Sequence, residues 1–214
     1  MTNPDFMDRL YLIRHGETEG GEVKRYKGTI DVPLSEQGVK QIERVTEYLF
    51  RITSHESGGT NLKAVYTSNL SRAIKSAEII AKPHFLEPVI IPELRERNFG
   101  LWEGMSFDEI KEKYPKEFDA WVRNPFKFSP VGGESTLDVR ERVIKVIDEI
   151  IGNHNGKHIA IIAHGGVNRI ILCHFLGIPL ENIFRIEQDY GCMNIIEFWD
   201  GYPVIKLMNY GLIS

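Results

Sequence analysis

The sequence predicts an α/β fold: a three-layer α/β/α sandwich around a mixed, mostly parallel sheet, with a helical insertion over one end. Three observations lead there. Short apolar runs rich in β-branched residues, at 10–13, 64–67 and 158–163, alternate with longer stretches whose apolar side chains recur at helical intervals. Two further apolar runs near the C-terminus, 192–199 and 204–208, are separated by Asp200-Gly201, a hairpin signal that makes the sheet mixed. The chain has 214 residues, enough to bury a sizeable core as a single domain over 1–214 without disulfide support.

The elements follow in order. Leu10-Tyr11-Leu12-Ile13, broken by Gly16, reads as a buried parallel strand whose carboxyl end delivers Arg14 and His15. From Ser35, a suitable N-cap, Val39, Ile42, Val45, Tyr48, Leu49 and Ile52 keep helical spacing toward a stop at Gly58-Gly59. Residues 64–67 form a second strand, with Ser68 capping a helix over about 70–81 that Lys82-Pro83 ends. Val89-Ile90-Ile91, set between Pro88 and Pro92, suggests an extended segment at a sheet edge. Residues 99–130 are rich in aromatics and prolines, with short helical patterns near 107–114 and 116–123, and are expected to wall the site. A strong helix over 135–151 precedes the strand at 158–163, and a helix restarts near Val167.

Composition narrows the partners. Lys and Arg total 26 against 30 Asp and Glu, and with no basic tract the counterion-release contribution to nucleic-acid binding is missing. Cys173 and Cys192 are too sparse for a disulfide scaffold or a zinc site and read as reduced thiols of a cytoplasmic protein. Residues 1–9 carry Asp5 and Asp8 and no long apolar stretch, so neither a signal peptide nor a membrane span is expected.

In open α/β sheets ligands bind outside the carboxyl ends of the strands, and two of those ends carry His15 and His164. Gly16 lets the chain turn so that Arg14 and His15 can share one target. His164-Gly165-Gly166 sets an imidazole beside backbone N–H groups at a helix start, a combination suited to an anion. Arg72 lies just past a third strand end, where its planar fork can take two phosphate oxygens. Singly, each has a bland explanation: a glycine-flanked His is usually structural, and an Arg near a helix start is usually ion-paired. Their conjunction favours a phosphate site. Neighbouring guanidinium groups would keep His15 neutral and nucleophilic, and a carbonyl in the Gly16 turn is a suitable acceptor for its other nitrogen.

Residues 14–18 (Arg-His-Gly-Glu-Thr), the Arg72 helix, Glu96 within 94–104 and His164-Gly165 together resemble the histidine phosphatase superfamily, in its phosphoglycerate mutase-like branch. Gly28, Asp31, Pro33, Leu34, Ser35 and Gly38 fit the same pattern, as does Gly133-Glu134-Ser135, so the likeness spans nearly the whole chain. The resemblance implies that His15 attacks phosphorus and becomes phosphorylated. It implies that Arg14, Arg72 and His164 hold the phosphoryl group and that Glu96 donates the proton, with Thr18, Gly165 and the position of Gly21 in the phosphate grip. Many members carry an asparagine where this chain has Gly21. No metal or other cofactor is implied, since arginines supply the charge. Partial burial near Phe99 or Trp102 and an incoming phosphate would favour the neutral acid at Glu96.

The implied partner is a small phosphorylated metabolite; a homodimer stays open. Gly100-Leu101-Trp102-Glu103-Gly104 looks like the phosphatase group rather than the mutases, and residues 189–194 are similar to α-ribazole-5′-phosphate phosphatases of cobalamin biosynthesis. A bisphosphoglycerate-dependent mutase, a fructose-2,6-bisphosphatase and an inert phosphate-binding module are the alternatives. Glu17 is either an ion-pair partner in the site or a brace of the turn. Trp102, Trp121 and Arg97 serve either packing or substrate contact, and Lys24, Arg25 and Tyr26 either meet substrate at the mouth or form a solvated loop. His154 and His158, with Gly156 between them, do not make a metal pair.

Overall fold

The structure is a computed structural model that describes residues 8–20, 25–55, 59–154 and 157–211. Strand β1 (Asp8–Arg14) is followed by α1 (Glu36–Thr53), the short pair β2 (Ser54–His55) and β3 (Gly59–Thr60), then β4 (Leu62–Thr67), α2 (Ser71–Ala81) and β5 (Pro88–Ile90). The insertion contributes α3 (Phe107–Lys113) and α4 (Pro115–Arg123). The chain closes with α5 (Thr136–Gly152), β6 (His158–Ala163), α6 (Gly165–Leu176), β7 (Met193–Trp199) and β8 (Tyr202–Tyr210).

The main sheet has the order β5-β4-β6-β1-β7-β8. Neighbours from β5 to β1 are parallel, whereas β7 runs antiparallel to both β1 and β8, so the sheet is mixed as expected. Side chains alternate across a strand, and the sequence uses that period to feed two cores. Leu10, Leu12, Ile159 and Ile161 face α5 and α6, packing with Val143, Ile147, Val167 and Ile171. Tyr11, Ile13, Ala160 and Ile162 face the other way, toward Ile42, Val45 and Leu49 of α1 and Ala73, Ala77 and Ile80 of α2. Three layers result. Trp102, Ile110 and Phe118 form a third, smaller core inside the insertion.

Several boundaries differ from expectation for local reasons. Helix α1 stops at Thr53, because the Thr53 hydroxyl donates to Leu49 O at 2.7 Å, the Ser54 hydroxyl donates to Phe50 O at 2.6 Å, and the chain then pairs β2 with β3. Gly58 lies outside the described residues. Helix α6 begins at Gly165, earlier than Val167. Ser68 does not cap α2: the helix starts at Ser71, whose N–H and hydroxyl both donate to Asp31 Oδ1, at 2.8 and 2.7 Å. The carboxylate thus sits at a helix N-terminus, where it is favoured.

Cys173 and Cys192 are buried free thiols, and burial pushes the Cys192 thiol up to about 12. Among the described residues no helix is long and apolar enough to cross a membrane.

Candidate active site

Strand register assembles the site. Arg14 pairs with Ala163, and Thr67 pairs with Ile162, so β1, β4 and β6 end nearly level. The His15 N–H donates to Ala163 O at 3.1 Å, which sets His15 beside His164; their rings meet edge-on with centroids 5.0 Å apart. The turn after His15 needs glycine. A Cβ on Gly16 would stand 2.2 Å from Gly38 O, and one on Gly38 would stand 2.0 Å from Glu17 O. The turn therefore packs backbone to backbone on the first turn of α1. Glu17 braces it: its carbonyl accepts from Ser35 N–H at 2.9 Å, and its own N–H donates to Gln41 Oε1 at 2.8 Å.

His15 is 5% exposed, and its Nδ1 lies 2.7 Å from Gly16 O. A carbonyl oxygen can only accept, so the ring proton sits on Nδ1 and Nε2 keeps its lone pair. Burial, followed by the charges of Arg14, Arg72 and Lys27, holds the imidazole well below the usual histidine range, against the pull of the Gly16 hydrogen bond. His164 is fully buried, its Nε2 hydrogen-bonded to Ser68 Oγ at 2.7 Å. Burial, then His15, Arg72 and Arg14, hold it well below the usual range too.

The cations are tied from behind. Arg14 donates from Nη1 to Gln188 O at 2.6 Å and lies over the Tyr190 ring, 3.8 Å from its centroid. Arg72, only 2% exposed, donates from Nη1 to Ile30 O at 2.8 Å and from Nη2 to Gly28 O at 2.7 Å, which leaves a further N–H on each terminal nitrogen. Two buried nitrogens here, Arg14 Nε and His164 Nδ1, have no partner among the described residues. Leaving a buried donor such as Arg14 Nε unpaired costs about 1–3 kcal/mol, so an acceptor-bearing anion is a ligand that suits this site.

Glu96 faces the same cavity from the loop before the insertion. Its Oε1 accepts from Arg97 N–H at 2.9 Å and its Oε2 from Gly166 N–H at 3.0 Å, so one amide of the α6 N-terminus holds a carboxylate of the protein itself. A Cβ on Gly166 would meet Glu96 Oε1 at 2.6 Å, so any larger residue there would displace the carboxylate from this position. Gly165 stands against the Arg14 guanidinium, where a Cβ would be 3.3 Å from Cζ. Thr18 is buried at the cavity edge, its hydroxyl accepting from Lys27 Nζ at 2.6 Å. Gly21 and Lys24 lie outside the described residues.

Behind Glu96, the Glu134 carboxylate accepts from Asn98 N–H at 2.9 Å, Arg95 Nη2 at 2.9 Å and Arg142 Nε at 2.8 Å. Burial opposes ionisation of Glu134, yet those hydrogen bonds and cations outweigh it and keep its pKa below the ordinary value. Arg97 also lines the cavity, its guanidinium held by donation to Glu134 O, Thr136 Oγ1 and Phe128 O. Arg25 is engaged by Glu109 and by Gly104 O.

The cavity over His15 has a volume of about 250 Å³. Tyr26, Phe99, Trp102 and Trp121 wall it on the insertion side, and Ile183 and Phe184 face them from the turn after α6. Trp102 is also a packing residue, stacked on Phe128 at 5.2 Å and 4% exposed. Sequence reasoning missed Ser68 as a partner of His164, and missed Lys27, Gln188 and Phe184. Of these only Lys27 carried a signal, a cation directly before Gly28 in the matched segment.

The buried neutral histidines have a stability consequence. Unfolding releases two rings of ordinary pKa near 6.5, so the unfolded chain binds more protons than the native one between the depressed native values and 6.5. Stability should rise with pH through that window and be lost on acidification. Urea midpoints should fall between pH 7 and pH 5, and less steeply in His164→Asn; an unchanged slope would contradict the neutral assignment.

Comparison with known proteins bears on the family and the fold. The chain is 32% identical over 203 residues to phosphoserine phosphatase 1 of Hydrogenobacter thermophilus, covering 95% of this chain and 92% of that protein. It is 27% identical over 201 residues to the adenosylcobalamin/alpha-ribazole phosphatase of Escherichia coli, covering 94% and 95%. The crystal structure of the alpha-ribazole phosphatase from Shigella flexneri matches with a TM-score of 0.84 at 28% identity, over 96% of this chain and 98% of that one. The model of the histidine phosphatase superfamily (branch 1) matches residues 10–211, and the chain belongs to that family.

Proposed function

We propose that this protein hydrolyses small phosphomonoesters through a phosphohistidine at His15, without a metal ion. The observation that carries the proposal is the Nδ1–H bond to Gly16 O, which aims an unprotonated Nε2 into a cavity lined by Arg14 and Arg72. In the first half-reaction Nε2 attacks phosphorus, and the ester oxygen leaves with a proton delivered by the Glu96 carboxyl group. The ring, still carrying Nδ1–H, becomes cationic, and the Gly16 carbonyl stabilises that charge. In the second, water attacks phosphohistidine while the Glu96 carboxylate takes its proton; phosphate departs, and His15 and Glu96 are restored. Arg14, Arg72 and His164 bind the equatorial oxygens, with Thr18 and Gly165 at the edge of the grip; phosphoryl transfer asks the protein mainly for such positioning and charge.

The leaving group this cavity favours is bulky and aromatic, of the α-ribazole type. Its walls include Phe99, Trp102, Trp121 and Phe184, and among the described residues the one carboxylate lining it is Glu96, so none of these residues offers the ammonium group of phosphoserine a counter-charge of its own. The test is a panel assayed with excess EDTA: α-ribazole phosphate, phosphoserine, 3-phosphoglycerate with 2,3-bisphosphoglycerate, and fructose 2,6-bisphosphate. The highest kcat/KM is expected for α-ribazole phosphate. A phosphoserine optimum would overturn the leaving-group assignment alone; loss of all activity in EDTA would overturn metal independence.

A further inference from the structure

We infer that Lys27 is a phosphate-binding side chain of this site, its ammonium donating to a non-bridging oxygen of the phosphoryl group carried by His15. The inference rests on the phosphotransfer reading above and adds a residue to it. Lys27 follows Tyr26 at the cavity wall and lines the cavity together with Arg14, His15 and Arg72. Its Nζ donates to Thr18 Oγ1 at 2.6 Å and to Glu19 O at 2.5 Å. Both acceptors are neutral. An ammonium has three N–H donors, so one remains for a ligand.

The placement is electrostatically unfavourable for an ordinary surface lysine. Burial, then the Arg72 charge, lower its pKa from the usual lysine value, and Glu17 only partly compensates; Lys27 in turn disfavours protonation of His15. Cations from three separate segments, Arg14 at the end of β1, Lys27 in the following loop and Arg72 on α2, are therefore gathered at one end of the sheet. Repulsion among them is relieved by a dianion, and relieved further as negative charge develops on the equatorial oxygens. Thr18 acts as a guide: its hydroxyl accepts from Nζ and fixes the direction of the chain's approach. Gly21, in the same loop, has no side chain with which to do this work.

A contact to the transferring group differs from one to the leaving group in what its loss changes. Binding of inorganic phosphate and of orthovanadate, followed by calorimetry on Lys27→Gln, Lys27→Arg and the unaltered protein, separates the possibilities without requiring turnover. Lys27→Gln keeps amide donors for Thr18 and Glu19 but lacks charge, so its phosphate Kd should rise about tenfold or more, the usual effect of losing a charge-assisted hydrogen bond. Lys27→Arg should restore binding to within about threefold. In Lys27→Gln the loss in kcat/KM should be equal for nitrophenyl and alkyl phosphates, with melting temperature unchanged. If the unaltered protein binds neither anion, the phosphate-site reading itself fails. If it binds both and Lys27→Gln binds them as tightly, Lys27 is a structural tie of the Thr18 turn and the inference is overturned.

Discussion

His15→Ala should abolish turnover, with kcat falling by about four orders of magnitude or more, because the covalent half of the reaction has no substitute. Two other groups near His15 are held by neighbours. The Thr18 hydroxyl accepts from Lys27, and the Nε2 of His164 is engaged by Ser68. A protein that has lost its nucleophile but kept its phosphate grip should still bind orthophosphate, which separates this result from misfolding. Two supporting measurements bear on the same step. Radiolabelled ester quenched without acid should leave label on the unaltered protein and none on His15→Ala. A chiral thiophosphate ester should give product with retained configuration, since two in-line displacements each invert the centre. Inversion, or a His15→Ala variant of near-normal rate, would remove His15 from the mechanism.

The histidine-bearing strand ends were legible in the sequence because their signals are local. An apolar run followed by His-Gly is a strand meeting a turn, and the alternation of such runs with helical stretches implies a sheet with both faces covered, as Leu12 and Ile13 on opposite cores illustrate. The partners of those residues were not legible, because they are set by tertiary register. Ser68 reads locally as a helix cap, yet it bonds to His164, 96 positions away, while the capping falls to Asp31, 40 positions before Ser71. Either residue type can cap a helix; the parallel alignment of β4 with β6 brings Ser68 to His164, and Asp31 reaches Ser71 from the loop after β1. Lys27 eluded the sequence reading for a similar reason: its role depends on how the loop after β1 folds back onto Thr18. The end of α1 went astray because side-chain hydroxyls of Thr53 and Ser54 return to helix carbonyls and finish the helix before any glycine does.

Glu96→Gln should show a loss that depends on what is leaving. Nitrophenolate is a stable anion near neutral pH and departs without a proton, whereas an alkyl alkoxide must be protonated as the bond breaks. General acid catalysis typically contributes about 10²–10⁴-fold, so kcat/KM for an alkyl phosphate should fall by that factor and for nitrophenyl phosphate by about tenfold or less. The comparison belongs to kcat/KM, which reports steps up to the first transfer. The second half-reaction needs the carboxylate as a base whichever ester was used, so kcat should fall for both, and labelled phosphohistidine should accumulate during nitrophenyl turnover. The geometry adds a cost common to every substrate. Both Glu96 oxygens accept from backbone, Arg97 N–H on one side and Gly166 N–H on the other, and an amide can offer an acceptor to only one of them. That shared cost lowers all rates together and leaves their ratio untouched, so the ratio is the quantity that identifies Glu96 as the acid. Equal losses in kcat/KM for the two esters would mean that Glu96 only holds the start of α6 in place.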